Sequence, residues 1–453
     1  MTASSKVKPA PAASWLDCDT IWTSNLPAGG RANRRRAPGG RSLRLRRERG
    51  GSQRQISTVN FIRSRGLSVD PPAADRISED FPPLRPHETV QKFLISTTAP
   101  LTDRFVSLGL IADEAHPGLR HTASYARRGV AGGRTAITLS FRAERQADLP
   151  KFIIPNYEHV AEMMCAYLAV LYGKRFDNHG AFEGAGLFYL PDLRAMDAFA
   201  DPNLPTNHDK ARADFPVPLS LTQIERLSRL LFFDPGRSPA ASVFRNAAKF
   251  YLRALQTAEA DVEMAYLHLI TCGEILSSAS EVCPDQLLDA QTRHMLTRIE
   301  AGLPDGAAVA KTVRSKLRSI RRRFIWTFTE LTDPGFFTRG ESKEPWGRLR
   351  SERYLKTLAA AYDLRSRYVH TGQGFGDLVQ PRGAYLTEVQ TGKPIVDDKA
   401  FGKILADAPT FTGLERIVRY GLLRFAQARL EVGLEFPSEP ADVAQALADP
   451  PPV

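Results

Sequence analysis

The sequence predicts a mainly α-helical protein, in which a C-terminal helical bundle follows a smaller α+β domain and a disordered basic N-terminus. Three observations support this prediction. Apolar residues recur at helical spacing through most of the chain after residue 215. Short strand-like runs separated by turns precede them. Residues 1–55 are rich in Pro, Gly, Ala and Arg without apolar periodicity, a composition typical of disorder.

The basic charge of the chain is concentrated near its start. Of a formal net charge of +11, the segment Arg31–Gly50 contributes +8, from nine arginines and one acidic residue, Glu48. The remainder is close to neutral, so net charge alone does not predict nucleic-acid binding. Three interpretations of residues 1–55 stay open: a nonspecific nucleic-acid arm, a sequence upstream of the true translational start, and a solvated tail.

Cysteine usage and hydropathy predict a soluble cytoplasmic protein. The four cysteines have no CxxC or other paired spacing, which favours a reducing compartment. The longest apolar run, around Val160–Tyr172, is too short to span a bilayer, and the N-terminus lacks the apolar core of a signal peptide. No membrane partner is expected.

The region 56–215 is predicted to be an α+β domain, and its function is not legible from the sequence. Strand-like runs occupy Gln91–Ser96, Thr135–Arg142 and Gly184–Leu190, and Tyr157–Tyr172 has the pattern of an amphipathic helix. His179 follows Asp177 and precedes Glu183 in a segment rich in Gly and Asn, without a second histidine at ligand spacing. This favours a surface loop over a metal site, and no metal or cofactor is predicted for the chain.

The region 216–436 is predicted to be a bundle of about seven helices, and 437–453 a loose tail. The predicted helices are Ser220–Phe233, Pro239–Thr257, Asp261–Ser278, Pro284–Ala301, Val309–Leu331, Ser351–Val369 and Gly413–Val432. The helix Val313–Phe328 is rich in arginine. We predict either a solvated basic face or a track for an RNA backbone there.

The stretch Ser351–Gly376 carries the strongest functional signal. Its pattern predicts a helix that ends at a glycine-rich loop, with Arg365 and His370 in the last turns of the helix. At about 100° per residue, Leu355, Leu358, Tyr362 and Val369 fall on one side, and Arg365 and His370 flank that side about 140° apart. We expect a second helix or a second subunit to bring the two groups to one point.

Arginine and histidine together suit cleavage of an RNA phosphodiester. Arginine grips phosphate oxygens with a permanently charged planar fork, and histidine exchanges protons near neutral pH. Such a reaction needs no metal. The chain contains a single Arg-x(4–6)-His match, Arg365 to His370. The spacing alone equally fits a helix-capping histidine beside a surface arginine.

Glu274 is a candidate partner for Arg365. It lies on the predicted helix Asp261–Ser278, close to the apolar side, where a carboxylate requires a cation. The alternative is a plain exposed glutamate.

Three segments resemble a known family, the Apea-like branch of HEPN domains. They are EMAYLHLITCGEILSS, RRRFIWTFTELTDPGFF and, most specifically, AAAYDLRSRYVHTG. The resemblance covers about residues 218–435. It implies an all-α bundle that forms a homodimer, with the Arg-x(4–6)-His motifs of two protomers facing one cleft. For many members it implies a metal-independent endoribonuclease of a toxin or antiphage defence system, with RNA as the partner.

The resemblance also assigns roles to residues. Arg365 would hold the phosphate and His370 would act as general acid and base, while Glu274 matches a glutamate common on the second helix of such domains. Tyr362, Ser366 and Arg367 would support the site. At the position after the motif arginine, active nucleases of this family usually have a larger Asn, Asp or His, whereas this chain has Ser366. The difference bears on the expected activity and not on the expected fold. Other HEPN domains are noncatalytic dimerisation modules, which is the alternative function.

Overall fold

In a computed structural model, the protein consists of an antiparallel sheet and a set of helices. The structure describes residues 88–107, 110–114, 121–122, 133–144, 156–197, 200–231, 238–316, 320–380 and 386–434. The predicted disordered segment 1–55 and tail 437–453 lie outside these residues. All the described residues belong to one compact unit, Asp70–Val453.

The sheet has seven strands within the described residues. They are β1 Glu88–Thr97, β2 Phe105–Ser107, β3 Leu110–Glu114, β4 His121–Thr122, β5 Gly133–Glu144, β6 Phe176–Gly184 and β7 Leu187–Phe188. The order is β2-β3-β5-β1-β6-β7, with β4 pairing to β5, and every pairing is antiparallel. The sequence correctly predicts β1 and β5. The strand predicted at Gly184–Leu190 is confirmed only at Leu187–Phe188, strand β7, because the chain turns before it at Ala185 and Gly186, both with positive φ.

One face of the sheet packs on helix α1, Glu158–Tyr172, and the core extends from there into the bundle. Alternate strand residues such as Phe93, Ile95, Ile137 and Leu139 enter this core, as the two-residue period of a strand requires. The predicted helix Tyr157–Tyr172 is confirmed to within one residue.

Helices dominate the described residues after the sheet, so the predicted mainly helical architecture with a sheet before it is confirmed. They are α2 Ser228–Leu231, α3 Pro239–Thr257, α4 Val262–Ser278, α5 Ala290–Gly302, α6 Gly306–Lys316, α7 Ile320–Leu331, α8 Gly335–Thr338, α9 Tyr354–Thr371, α10 Gly376–Val379, α11 Lys399–Asp407 and α12 Phe411–Leu430. The predicted helix Val309–Leu331 corresponds to α6 and α7, and residues 317–319 between them lie outside the described residues. Most of the predicted helix Ser220–Phe233 is a 3₁₀ turn, Leu221–Leu227.

The sequence sets several helix starts through capping side chains. Asp261 accepts a hydrogen bond from the Met264 amide at 2.9 Å, and Ser238 accepts one from the Ala241 amide at 3.2 Å. Thr410 caps α12 in the same way. Each cap satisfies an amide that lacks a partner inside its helix, a contribution of about 1 kcal/mol.

Two glycines let the bundle helices approach closely. A Cβ at Gly273 on α4 would lie 2.4 Å from the Phe324 ring, and one at Gly421 on α12 would lie 2.6 Å from the Phe328 ring. The two phenylalanines of α7 therefore occupy the space that side chains at the glycines would need. The Phe324 ring also contacts the Tyr362 ring of α9, with centroids 5.8 Å apart. Helices α4, α7, α9 and α12 thus meet around these two rings.

A layer of buried charges joins the sheet side of the molecule to α12. We call it the buried charged layer, and its members are Arg212, Asp214, Glu341, Glu388, Glu415, Arg416 and Arg419. Arg212 donates to Glu341 at 2.6 Å and to both carboxylate oxygens of Glu415 at 2.8 and 2.6 Å. Arg419 donates to Asp214 at 2.9 Å and to the Leu171 carbonyl at 2.7 Å. Such pairing is what permits full burial of charge.

Neighbouring guanidinium groups control the ionisation of Asp214. Burial alone would raise the pKa of this carboxyl group, but the charges of Arg419, Arg212 and Arg416 hold it below its ordinary value. Arg416 lies over the Phe336 ring, 3.8 Å from its centroid, and donates to Glu388 at 3.0 Å. The Asp214 carboxylate is therefore ionised at neutral pH in the folded protein.

The prediction of a surface loop around His179 is wrong. His179 is buried in β6, where its Nδ1 bonds the Asp192 carbonyl and its Nε2 bonds the Ser96 hydroxyl, each at 2.8 Å. Burial lowers the pKa of the imidazole. Asp177 is held by Arg134 at 2.5 Å and Arg175 at 3.0 Å. These contacts make His179 part of the packing of the sheet.

Two further features concern metals and membranes. Among the described residues, no group of three or more His, Cys, Asp or Glu side chains is arranged to hold a metal ion. None of the helices in the described part of the chain combines the length and apolar character needed to cross a bilayer.

Candidate active site on helix α9

Helix α9 presents the predicted site in its last two turns. It ends at Gly372, which adopts a left-handed conformation with φ +69°, and the Gly372 amide donates to the Tyr368 carbonyl at 2.8 Å. Glycine adopts this conformation without the steric penalty of a Cβ. His370 therefore lies in the final turn, beside a defined helix end.

The predicted apolar side of α9 is only partly packed within the chain. Leu358 is fully buried and Tyr362 is half-buried, but the Leu355 and Val369 side chains are 57% and 55% exposed. The buried face is instead centred on the side that carries Ala361. We call Leu355, Tyr362 and Val369 the α9 stripe; its members lie seven residues apart, almost in line on a helix of 3.6 residues per turn.

Arg365, Glu274 and Tyr362 form a hydrogen-bonded group at the edge of the stripe. The Tyr362 hydroxyl donates to Glu274 Oε1 at 2.8 Å, and Arg365 Nη2 donates to Glu274 Oε2 at 3.4 Å. The Arg365 guanidinium lies 5.9 Å from the Tyr362 ring centroid. The predicted pairing of Glu274 with Arg365 is therefore present. Side-chain exposures of 27% for Arg365 and 18% for Glu274 show that solvent reaches both.

The environment of Tyr362 keeps its hydroxyl protonated at neutral pH. Burial, and next the hydrogen bond to Glu274, raise the pKa of Tyr362 to about 12. The phenol therefore acts as a hydrogen-bond donor that fixes one carboxylate oxygen of Glu274. The other oxygen is left to orient Arg365.

The side chains of His370 and Ser366 make no hydrogen bonds within the described part of the chain. His370 is exposed, Ser366 is half-buried, and neither side chain makes a hydrogen bond or ion pair with any residue that the structure describes. The imidazole is therefore accessible to a ligand. The five-residue separation places His370 about 7.5 Å along the axis from Arg365 and about 140° around it. One copy of α9 thus does not direct both side chains at a single phosphorus atom.

Arg367 is engaged away from this group. Its Nε donates to Gln373 at 2.6 Å, its Nη2 bonds Asp398 at the start of α11, and its guanidinium lies 5.1 Å from the Phe401 ring centroid. These contacts fasten α11 to α9. Arg367 supports the helix end rather than offering a free cation.

Sequence reasoning missed the part played by Glu263. This carboxylate on α4 accepts hydrogen bonds from the Phe375 amide and, at 2.7 Å, from the Gly376 amide. It thereby fixes the glycine-rich loop that follows His370. The acidic first turn of α4 was visible in the sequence, but its partner lies more than 100 positions away.

The arginine-rich surface of α6 and α7 is largely paired with acids. Arg314 bonds Asp285 at 2.7 Å and Glu300 at 2.5 Å, and Arg321 makes two bonds to Asp363 at 2.6 and 2.8 Å. Arg322 contacts Asp289. These pairs neutralise much of the positive charge, so the described part of this surface does not favour the predicted RNA track.

Comparison with known proteins gave no match to a family model, to a curated protein or to a solved structure. The resemblance to HEPN domains therefore rests on residues of α4, α7 and α9. These three helices contact one another in the structure, through Phe324 on Tyr362 and through Glu274 on Arg365.

Proposed function

We propose that the chain is a metal-independent endoribonuclease of the HEPN type that acts as a homodimer, in a defence or toxin system. The observation that carries the proposal is the arrangement on α9. A solvent-accessible arginine is oriented by a carboxylate, and an unengaged histidine stands at the helix end on the other side of an exposed apolar stripe. The defence or toxin setting rests on the resemblance alone.

Arg365 is the group that would bind the scissile phosphate. A guanidinium has five N–H donors, and Glu274 takes one of them at the long distance of 3.4 Å. The remaining donors match the oxygens of a phosphate in a bidentate geometry. The Tyr362–Glu274 bond holds the carboxylate in place, so the guanidinium is positioned before RNA binds.

His370 would move the protons. In the proposed reaction a 2′-hydroxyl loses its proton to an imidazole, the 2′-oxygen attacks the adjacent phosphorus, and the bond to the 5′-oxygen breaks. The leaving 5′-oxygen takes up a proton, and the products are a 2′,3′-cyclic phosphate and a 5′-hydroxyl. In a symmetric dimer two copies of His370 are available, one as base and one as acid. The Ser366 hydroxyl offers a further, short-reaching hydrogen bond.

The α9 stripe supports the homodimer. Leu355 and Val369 are large apolar side chains left exposed on a helix face, and with Tyr362 between them they have the seven-residue spacing used for helix–helix packing. A two-fold axis through the stripe would place α9 against its own copy. Arg365 and His370 flank the stripe, so such pairing would bring both motifs to one groove.

Replacing Val369 with aspartate is expected to raise the dissociation constant of the homodimer about 100-fold or more. The two-fold axis through the stripe would bring the two new carboxylates together in an apolar contact. Sedimentation equilibrium of the full chain measures the dissociation constant. Leu190→Asp is the matched control, since Leu190 is 98% exposed and follows β7 at an edge of the sheet. A Val369→Asp protein that dimerises like the unmodified chain would exclude the stripe as the interface.

The test of the proposed activity is RNA cleavage by the full chain in excess EDTA, with the product ends identified. We expect 2′,3′-cyclic phosphate and 5′-hydroxyl ends. A 3′-hydroxyl product, or cleavage that requires added Mg²⁺, would contradict the proposed chemistry. Arg365→Ala is included to connect the activity to α9, and Arg323→Ala serves as an arginine control on α7.

A noncatalytic dimerisation module is the second candidate, and the Arg365–Glu274 bond is the observation that favours it. In such a module, the role of Arg365 is only to neutralise the negative charge of the Glu274 carboxylate. Both side chains are partly solvated and Tyr362 also bonds Glu274, so removal of Arg365 would cost no more than about 1 kcal/mol of stability. A chain that dimerises through the stripe but leaves RNA intact would support this module.

A further inference from the structure

A small basic cavity lies at the opposite end of α9 from His370. It has a volume of about 160 Å³, and its walls come from the segment before α9, the first turns of α9, the segment 389–390 and the end of α11. The lining includes Trp346, Arg348, Arg350, Arg353, Thr357, Gln390 and Asp407. Thr357 is 13 residues before His370, about 20 Å along the helix axis. The cavity is therefore separate from the candidate active site.

Three arginines face one carboxylate in this cavity. Arg353 is paired with Asp407 at 2.5 Å, and Arg348 uses its Nε to bond the Ser342 carbonyl at 3.0 Å. Arg350 is exposed, and its side chain bonds no residue in the described part of the chain. The excess positive charge and the unused guanidinium N–H groups favour an anion with several oxygens. The N-terminal end of α9 adds a partial positive charge beside them.

Other parts of the lining suit a planar heterocycle. Trp346 lines the cavity with 48% of its surface exposed, so part of its indole ring is accessible to a planar ligand. Gln390 donates through Nε2 to the Leu378 carbonyl, so its side-chain oxygen is left as an acceptor for an amino group. A phosphate recognised by arginine, next to a stacked base with a hydrogen bond to an amide, is the chemistry of a nucleotide.

We propose that this cavity binds a nucleoside 5′-phosphate group, with the phosphate on Arg348, Arg350 and Arg353 and the base against Trp346. The volume of the cavity limits how much of the ligand it can enclose. Sites for whole drug-sized molecules measure about 300–1,000 Å³, so this cavity encloses a phosphate and part of a sugar while the base stays at the rim. The ligand is either a free mononucleotide or the 5′-phosphorylated end of an RNA strand. This proposal does not depend on RNA cleavage.

Isothermal titration calorimetry of the full chain tests the site with three kinds of probe. They are the four nucleoside 5′-monophosphates, a 2′-O-methyl trinucleotide with either a 5′-phosphate or a 5′-hydroxyl, and inorganic phosphate. We expect Arg350→Gln to raise the dissociation constant of the phosphorylated probes about tenfold, and Trp346→Ala to raise that of nucleotides but not that of inorganic phosphate. Arg293→Gln, at an exposed arginine on α5, should bind like the unmodified chain.

Mononucleotides that bind as tightly as the phosphorylated trinucleotide would identify a small-molecule site, and a clear preference for the trinucleotide would identify an RNA-end site. The proposal fails if no phosphorylated probe binds. It also fails if both variants bind like the unmodified chain, if the 5′-hydroxyl trinucleotide binds as tightly as its phosphorylated form, or if inorganic phosphate binds as tightly as nucleotides. Because the readout is binding, an inactive nuclease would leave the result interpretable.

Discussion

Replacing His370 with glutamine is expected to slow RNA cleavage by at least about 100-fold, because proton transfer by a positioned side chain contributes about 10²–10⁴ to a rate. The substitution should leave the fold intact, since the His370 side chain is exposed and bonds no described residue. Single-turnover cleavage of an oligoribonucleotide in EDTA measures the effect. Thermal unfolding followed by circular dichroism checks the fold.

The matched control for this experiment is His294→Gln. His294 is an exposed histidine on α5, away from α9, so its replacement should leave the rate unchanged. If His370→Gln cleaves like the unmodified protein while remaining folded and dimeric, His370 is not part of the mechanism. The dimerisation module would then be the better assignment.

Replacing Arg419 with methionine is expected to lower the free energy of unfolding by about 3–5 kcal/mol. The change leaves Asp214 with one fewer cation in the buried charged layer and removes the donor that serves the Val170 and Leu171 carbonyl oxygens. Urea unfolding, followed by circular dichroism and by tryptophan fluorescence, measures the effect. A decrease in the free energy of unfolding of less than about 1 kcal/mol would show that water or a rearranged Arg416 compensates the charge of Asp214.

Arg429→Met is the control on the same helix. The Arg429 side chain is exposed and bonds no residue that the structure describes, so its replacement should change stability by no more than about 0.5 kcal/mol. The double variant Arg419→Met with Asp214→Asn should recover part of the loss, because it removes the buried carboxylate charge that Arg419 neutralised.

Local sequence predicted much of the fold. The helix Pro239–Thr257 was predicted at its observed bounds, and Asp261–Ser278 differs from α4 only in the capping residue Asp261. Capping side chains and a period of 3.6 residues are properties of neighbouring positions, so they can be read directly. Pairing of Glu274 with Arg365 was predicted for a similar reason, since the apolar spacing of each helix fixed the side on which each charge lies.

Features that depend on distant partners were not predicted. Strand β6 has the polar sequence FDNHGAFEG, which is typical of a loop, and it is a strand because β1 pairs with it. In α12, Glu415, Arg416 and Arg419 have the sequence pattern of a solvated charged face. They are buried because their partners lie far along the chain, Arg212 and Asp214 about 200 positions earlier and Glu388 28 positions earlier. The engagement of Arg367 was missed because α11, which supplies Asp398 and Phe401, was not recognised.

The buried charged layer has a consequence for how the polypeptide can be divided. A fragment that starts at the predicted boundary, residue 216, would keep Glu415 and Arg419 but lose Arg212 and Asp214, and the core would then hold ions without counter-ions. The sheet and the bundle should therefore exist only together. In hydrogen–deuterium exchange, the slowest amides of α1 and α12 should open with the same free energy, as parts of one cooperative unit.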